Sequence, residues 1–550
     1  MSASAFAHLR LWKRQNRENL VPWVWIWVTT AWMIPPRFLA LQRDFWFDEI
    51  TNNLLVLSTP NFFTLRKEIF FQYQPLLDYC LRKFFWFPVF GHHELGLRIS
   101  SLVYSILTVA ALGTIGYSFF RQKLGPLFAF LVAEILTVWG GSHSSEIYYA
   151  AEARGYSLVS LVSVLWFCTF IKRDADCSNR KNNLVFGFLS AVFINVHFFA
   201  IPCVLSAYAY ECFFLIRKKA IKRGVTHFVT GMGIFLFTVF INFPALQNLI
   251  VSPPTKTSVS STENHVTPLA EIGKLLFRFI EFLHLPLFFT GFWLIAALLL
   301  NLFSTNREHR IQGIRLGFIG FFGVISVFLV SILSSDYKFY DRYFIPFFGI
   351  APVVLLLTVQ GLSDLYDRLG GARSIRLQFA SLTLLACLLE GQFYQAIQIE
   401  GEWLLPAQDF SPTYSFFRDL KALHFPVAVL PTNSWATKTV SFYWEHMTGN
   451  VPGERLRFIP VIDPRNTRAV KAVFEPRVES ELKLFLSENT NPVILLFGAW
   501  NKSCRAPLHS KDLPATLSVS SQYVARQCIW KIQNATNLKA IQAAAWAIGV

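Results

Sequence analysis

The chain has 550 residues, of which 53% are hydrophobic and only 15% are charged. Soluble domains average roughly 25% charged residues, so this balance, with a mean hydropathy of +0.40, excludes an ordinary soluble globular protein. The formal net charge of +16 does not imply nucleic acid as a partner: the basic residues sit in short clusters between apolar runs, the pattern of a membrane protein's loops.

A transmembrane helix needs roughly 20 predominantly apolar residues. On that criterion about eleven candidates follow one another, near 21–41, 98–120, 124–140, 155–171, 183–196, 198–216, 226–246, 285–303, 314–334, 343–362 and 377–397. The first run starts at Val21 and continues to about Leu41 with no small-residue cleavage site after it, so it is expected as a retained helix and not a signal peptide. Residues 183–216 form one apolar stretch broken by Asn195, His197 and Pro202, which fits either one long helix or a tight hairpin. The basic clusters decide: Lys13/Arg14/Arg17, Arg121/Lys123, Lys172/Arg173/Arg180/Lys181, Arg217 to Arg223, Arg307/Arg310/Arg315 and Arg368/Arg373/Arg376 fall on one side only if the stretch crosses twice. The positive-inside rule therefore selects the hairpin and a cytoplasmic N-terminus.

That orientation puts residues 42–97, 141–154, 247–284 and 335–342 outside, and an odd number of crossings puts 398–550 outside as well. Within the first outer loop, 62–90 is rich in Phe, Leu and Trp with interspersed Lys and Arg, the composition of helices lying along a membrane surface. Segment 251–268, rich in Ser, Thr and Pro, is expected as a mobile loop. After Glu400 the character changes to short β-like runs, Val427–Leu430, Arg457–Ile462, Val493–Phe497 and Tyr523–Ile532, with Phe416–Leu423 helical, so a small α/β domain is expected.

The eight Cys contain no C-x-x-C pair and no metal signature. Cys504 and Cys528 would be able to pair if the tail lies outside the cytoplasm. Motifs for nucleotide binding and for the common hydrolases (G-x-x-x-x-G-K-[ST], G-x-G-x-x-G, G-x-S-x-G, H-E-x-x-H) are absent from the sequence. Few charges fall at predicted helix centres, where ion-coupled transporters place some.

The polar residues crowd the outer rim instead. Asp48-Glu49 follows Phe45-Trp46-Phe47 just beyond the first span. Desolvation there raises carboxylate pKa values and suits a general base acting on an acceptor hydroxyl or amine; an acidic pair capping a helix N-terminus fits the same pattern. Glu152-Ala153-Arg154-Gly155-Tyr156 stands at the outer mouth of the fourth span, after Glu146, Tyr148 and Tyr149. There Arg154 has the fork for a phosphate, and an interfacial ion pair with a Tyr anchor is the plainer alternative. Asp341-Arg342-Tyr343-Phe344-Ile345-Pro346 enters the tenth span from outside. Taken alone it reads as another interfacial anchor, but interfacial Arg is otherwise commoner on the inner side, so two outer Arg residues beside outer carboxylates favour an anionic lipid head group. Gln74-Pro75-Leu76-Leu77 and Gly91-His92-His93-Glu94, then Leu97-Arg98, complete the set in the first loop. Adjacent histidines do not share a helix face, so His92 and His93 read as interfacial polar residues better than as metal ligands.

Asp-Glu after the first helix, x-Pro-Leu-Leu-x-Tyr, Gly-x-x-Glu-x-x-x-Arg, Glu-Ala-Arg-x-Tyr and Arg-Tyr-x-x-Pro, in that order over roughly residues 20–400, resemble the GT-C membrane glycosyltransferases. Within these the pattern is similar to the protein O-mannosyltransferases, the lipid A aminoarabinose transferase and the bacterial RgtA/B/C/D-like enzymes. The resemblance implies Asp48, with Glu49 beside it, as the catalytic base. It implies Gln74, Glu94, Arg98, Glu152, Arg154, Tyr156, Arg342 and Tyr343 as substrate-binding residues. It implies an inverting transfer from a polyprenyl-phosphate sugar donor to an extracytoplasmic acceptor (glycolipid, polysaccharide or protein), in a bacterial inner membrane. Relatives commonly carry His where this chain has Gln74, so no imidazole titrates or binds metal at that position; no cofactor follows, and a divalent metal is left open without a ligand set. The expected fold is an α-helical polytopic membrane protein of GT-C type with about eleven transmembrane helices and a small C-terminal α/β extracytoplasmic domain. Its expected parts are a cytoplasmic N-terminus at 1–20, the transferase domain at 21–397 and the soluble domain at 398–550. The alternative is a non-catalytic transporter of lipid-linked sugars or an envelope-assembly scaffold, which gives Asp48 no role.

Overall fold

The computed structural model describes residues 21–41, 47–68, 75–92, 94–173, 179–244, 298–304, 306–319, 345–369, 427–431, 456–458, 476–489, 493–497, 518–524 and 527–533. Gln74, His93, Arg342, Tyr343, segment 251–268, helix 416–423, Cys504 and the span at 377–397 lie outside the described residues, as do most of 285–303 and the second half of 314–334. The chain divides into two compact units: residues 1–41, 58–89 and 98–405 form the first, and 42–57, 90–97 and 406–550 the second.

The described part of the first unit is helical. Its described helices are α1 (21–32) and α2 (Ile34–Ala40), with α3 (Phe47–Ser58) following almost wholly in the second unit. Next come α4 (Phe62–Glu68), α5 (Leu77–Leu81), a π-helical turn (Arg82–Trp86), α6 (Phe87–Phe90) and α7 (Glu94–Ser142). Then follow α8 (Ser144–Ala150), α9 (Tyr156–Lys172), α10 (Arg180–Val196), α11 (Ala200–Arg217), α12 (Ile221–Ile241), α13 (298–302), α14 (307–319) and α15 (Ile350–Leu369). Within 62–90 the described chain is helical, as α4, α5, the π turn and α6.

Helix α7 is two helices joined at a kink. Gly125 has φ +81°, a left-handed value that an L side chain rarely adopts, and Pro126 follows it. The kink separates Glu94–Gln122 from Leu124–Ser142, matching the second and third predicted spans. Among the described residues five helices are long and apolar enough to cross a membrane: these two, Ala200–Arg217, Ile221–Ile241 and Ile345–Leu365. Tyr156–Lys172 is apolar but shorter.

The hairpin at 183–216 is resolved by geometry. His197 is extended (φ −152°, ψ 125°) and ends α10. The rings of Phe186 and Tyr208 lie 5.4 Å apart, whereas a continuous helix, rising about 1.5 Å per residue, would hold them roughly 33 Å apart. The chain therefore turns back, and α11 packs on α12 while α10 packs on α9. Trp166 anchors this bundle: its ring stacks on Phe170 at 5.7 Å and its indole N–H donates to Ser190 Oγ at 2.8 Å.

The end of the bundle where α9 meets α10 and α11 meets α12 carries a buried ionic cluster. Arg173 donates to Glu211 at 2.6 Å and to Asn183 at 2.7 Å. Arg315 of α14 donates to the Phe170 carbonyl at 3.1 Å and stands 3.6 Å from the other Glu211 oxygen. All three charged side chains are 1% exposed.

In the second unit the described strands are β1 (Val427–Pro431), β2 (Leu456–Phe458), β3 (Val493–Phe497), β4 (Ser518–Val524) and β5 (Gln527–Gln533), with helix α16 (Pro476–Glu488) between β2 and β3. They form one sheet in the order β2-β1-β3-β5-β4. β1 is parallel to β2 and β3; β5 is antiparallel to β3 and β4, with Tyr523 opposite Cys528 in the closing hairpin.

Candidate active site

At the opposite end of the bundle from the ionic cluster, residues 151–155 leave α8 and turn into α9. Arg154 and Glu152 are both buried, at 6% and 4% exposure. Arg154 Nη1 lies 3.3 Å from Glu152 Oε1, and its guanidinium stands over the Tyr156 ring at 4.7 Å. A buried guanidinium needs anionic or π-face partners, and here both come from within the motif. Aromatic rings continue outward from Tyr156: Tyr149 at 4.8 Å and His197 at 6.3 Å.

Three consecutive residues of this turn are held from other elements. The Ala153 carbonyl accepts from Arg82 Nη1 at 2.8 Å. The Arg154 carbonyl accepts from Ser101 Oγ at 3.0 Å. Gly155 lies so close to Asp78 that a Cβ there would meet the Asp78 Cβ and Cγ at 2.9 Å. Asp78 and Arg82 are themselves an ion pair, with Nε 2.9 Å from Oδ2. Tyr79, between them in sequence, is fully buried, and burial pushes its phenol well above the ordinary tyrosine range, so it stays neutral.

Below the turn, α8 is tied to the first span. Arg37 of α2 donates to Ser105 Oγ at 2.9 Å and to the carbonyls of Met33, Gly141 and Gly140. Ser105 in turn donates toward the Glu146 backbone carbonyl at 3.3 Å and its carboxylate at 3.4 Å. Burial pushes the Glu146 carboxyl up to about 7, against the opposing effect of Ser160, Arg37 and Ser105. On the other flank Asn242 accepts from the Leu76 backbone N–H at 2.8 Å and donates to Asn195 at 2.8 Å. Arg66 donates to the carbonyls of Phe240 and Ile241. The first loop is thereby fastened to the ends of α10 and α12.

The structure brings Glu152, Arg154 and Tyr156 together. Arg98 is fully buried and donates to the Leu41 carbonyl at 2.9 Å, fixing the end of the first span one turn before Ser101. Asp48 and Glu49 belong to the second unit and occupy the first turn of α3, where the helix dipole favours a carboxylate; Glu49 is fully buried. Glu94, also in the second unit, stands in the first turn of α7 and is half-buried. Pro346, from the Arg-Tyr-x-x-Pro element, accepts through its carbonyl from Ser163 of α9 at 2.8 Å, and the Gly349 N–H donates to the same hydroxyl at 2.9 Å. Pro346 and Gly349 are therefore attached to the helix that carries Tyr156. Among the described residues no three His, Cys, Asp or Glu side chains cluster as a metal ion requires.

Sequence reasoning missed Asp78, Arg82, Ser101 and Arg37. The available signal was Asp78 and Arg82 at helical i,i+4 spacing in a largely apolar run, the spacing of a paired face.

The sequence matches no protein-family model, and no curated protein matches it. ArnT from Cupriavidus metallidurans bound to undecaprenyl phosphate is similar in structure at a TM-score of 0.50 and 12% identity, covering 92% of this chain and 98% of that one. The same protein in the apo state gives 0.49 at 12% identity, over 92% and 97%. The archaeal oligosaccharyltransferase AglB from Archaeoglobus fulgidus, in complex with an inhibitory peptide and a dolichol phosphate, gives 0.44 at 10% identity, over 86% of this chain and 69% of that one. With five described helices able to span a bilayer and a match running over nearly the whole of both chains, the protein is a multi-pass membrane protein that shares its fold with ArnT.

Proposed function

We propose that the protein transfers a sugar from a polyprenyl-phosphate donor to an acceptor on the outer side of the membrane, with inversion at the anomeric carbon. The observation that carries this reading is the buried Glu152–Arg154–Tyr156 turn at one end of the helix bundle, on a fold shared with a protein that binds undecaprenyl phosphate. Arg154 offers a planar donor fork matched to a phosphate, at a depth where electrostatic attraction is weakly screened.

In this reading Asp48, assisted by Glu49, takes the proton of an acceptor O–H or N–H. The acceptor atom attacks the anomeric carbon from the face opposite the phosphate. The bond from that carbon to the phosphate oxygen breaks, and its electron pair leaves with the polyprenyl phosphate. Arg154 and Arg342 stabilise the developing charge. Tyr156, Tyr343, Gln74, Glu94 and Glu152 contact the sugar or phosphate, and Arg98 holds the end of the first span in place. The sheet-containing unit is proposed as an extracytoplasmic acceptor-facing domain, and the basic end of the bundle as cytoplasmic.

The test is transfer of label from a panel of polyprenyl-phosphate sugars to an envelope extract by the full chain in liposomes. Label in the acceptor fraction supports the reaction and names the sugar. A folded protein inactive with every donor contradicts it.

A further inference from the structure

The Asp78–Arg82 pair has an unusual setting. Both side chains are buried, Arg82 at 1% exposure and Asp78 at 5%. A buried ion pair is not by itself a stabilising choice, because the desolvation of two charges offsets most of their attraction, and apolar residues of similar volume commonly do as well. The placement serves geometry. Arg82 sets Nε against Asp78 and donates from Nη1 to the Ala153 carbonyl, so two nitrogens held in one plane reach two partners, where the three donors of a Lys ammonium would leave from a single atom. Its guanidinium also stands over the Tyr79 ring at 5.1 Å.

A second, independent feature marks the same residue. The helix widens into a π turn over Arg82–Trp86, with the Phe87 N–H bonding back to the Arg82 carbonyl. Such turns are rare, and they occur frequently at functional sites. Here the widened turn ends in Trp86, whose indole N–H donates to Tyr104 Oη at 2.8 Å, so one side of the segment is fastened to α7 while Asp78 and Arg82 face the 153–155 turn.

We infer that Asp78 and Arg82 are a positioning pair that sets where the Arg154 guanidinium stands, and therefore how well the site takes the phosphate of its lipid donor. This rests on the proposed reaction for its ligand, a polyprenyl phosphate. The chain of cause is short. Arg82 fixes the Ala153 carbonyl, Asp78 fills the space beside Gly155, and Ser101 fixes the Arg154 carbonyl. With the backbone held on both sides of Arg154, its guanidinium lies against Glu152 and over Tyr156. Loss of the pair frees the turn, and a displacement of about 1 Å is enough to lower affinity or rate strongly.

The experiment uses the full chain in liposomes with Arg82→Lys, the apolar pair Asp78→Leu/Arg82→Leu, and the exchanged pair Asp78→Arg/Arg82→Asp. Binding of undecaprenyl phosphate, without turnover, is measured beside kcat and KM for the donor that wild type uses. The account expects the apolar pair to unfold at a temperature close to wild type while lipid-phosphate affinity falls about tenfold or more and kcat/KM for the donor falls at least as far, because Arg154 also stabilises the charge that develops on the leaving phosphate. It expects Arg82→Lys to recover only part of the affinity, and the exchanged pair to recover none, since a carboxylate at position 82 cannot donate to a carbonyl. Wild-type affinity in the apolar or the exchanged pair overturns the positioning role, because a merely structural ion pair survives exchange. Unchanged lipid-phosphate affinity beside a fall in kcat overturns it as well. If wild type binds the lipid phosphate but transfers nothing, the reaction falls and the binding arm still decides the pair. If wild type does not bind it, both fall.

Discussion

Asp78 stands against Gly155 so closely that a side chain on residue 155 would begin 2.9 Å from the Asp78 Cβ. Nothing flexible separates the two: the contact is made by Cβ and Cγ, near the backbone of a short helix, and not by the far end of a long side chain. Gly155→Ala must therefore displace α5 or the turn. The expected cost is about 1–3 kcal/mol, with weakened binding of lipid phosphate. Gly187→Ala is the control: in mid-helix, its Cβ would meet only Tyr208 Oη at 3.8 Å, so a gain of about 0.5–1 kcal/mol is expected from helix propensity. Thermal unfolding of both variants in detergent checks the contrast.

Glu146 predicts a pH dependence. Its folded pKa of about 7 lies above the ordinary 4.5 because burial disfavours the charged form. Below about 4.5 both folded and unfolded chains hold the proton; between there and about 7 only the unfolded chain loses it. This group therefore makes the fold less stable as pH rises through that window, with the full penalty, on the order of 3 kcal/mol, in place above it. Glu146→Gln keeps the shape and removes the titration. Chemical denaturation at pH 5 and pH 8 is expected to show a smaller loss of stability with rising pH in the variant; equal slopes would remove Glu146 from the account.

The helix hairpin was legible because two signals agreed: polar residues at Asn195 and His197 with Pro202 broke the run, and the basic clusters required a second crossing. Phe186 against Tyr208 is the physical outcome. The Glu152–Arg154–Tyr156 group was legible because its members are nearly adjacent. The Arg82–Ala153 bond was not, because a backbone carbonyl carries no residue identity and the two positions are joined only by tertiary folding. The π turn is likewise a packing response with no signature in composition. Glu146 showed as an acidic neighbour of the motif, but its burial depends on Arg37 and Ser105 from other helices.

At the other end of the bundle, Glu211 neutralises two buried guanidinium groups. Glu211→Ala leaves Arg173 and Arg315 without their carboxylate and is expected to destabilise by about 3–5 kcal/mol. Because the site lies at the opposite end, donor KM measured on the folded fraction should stay within about twofold of wild type. Unfolding and kinetics on the same preparation separate the two effects.

The central claim is that Asp48 removes the acceptor's proton. The most direct measurement compares wild type with Asp48→Asn in liposomes, with one polyprenyl-phosphate sugar and its acceptor, recording transfer and lipid-phosphate binding together. The account predicts binding within about twofold of wild type and a loss of transfer of about a hundredfold or more, since an amide cannot accept the proton. Undiminished transfer by the variant would contradict it.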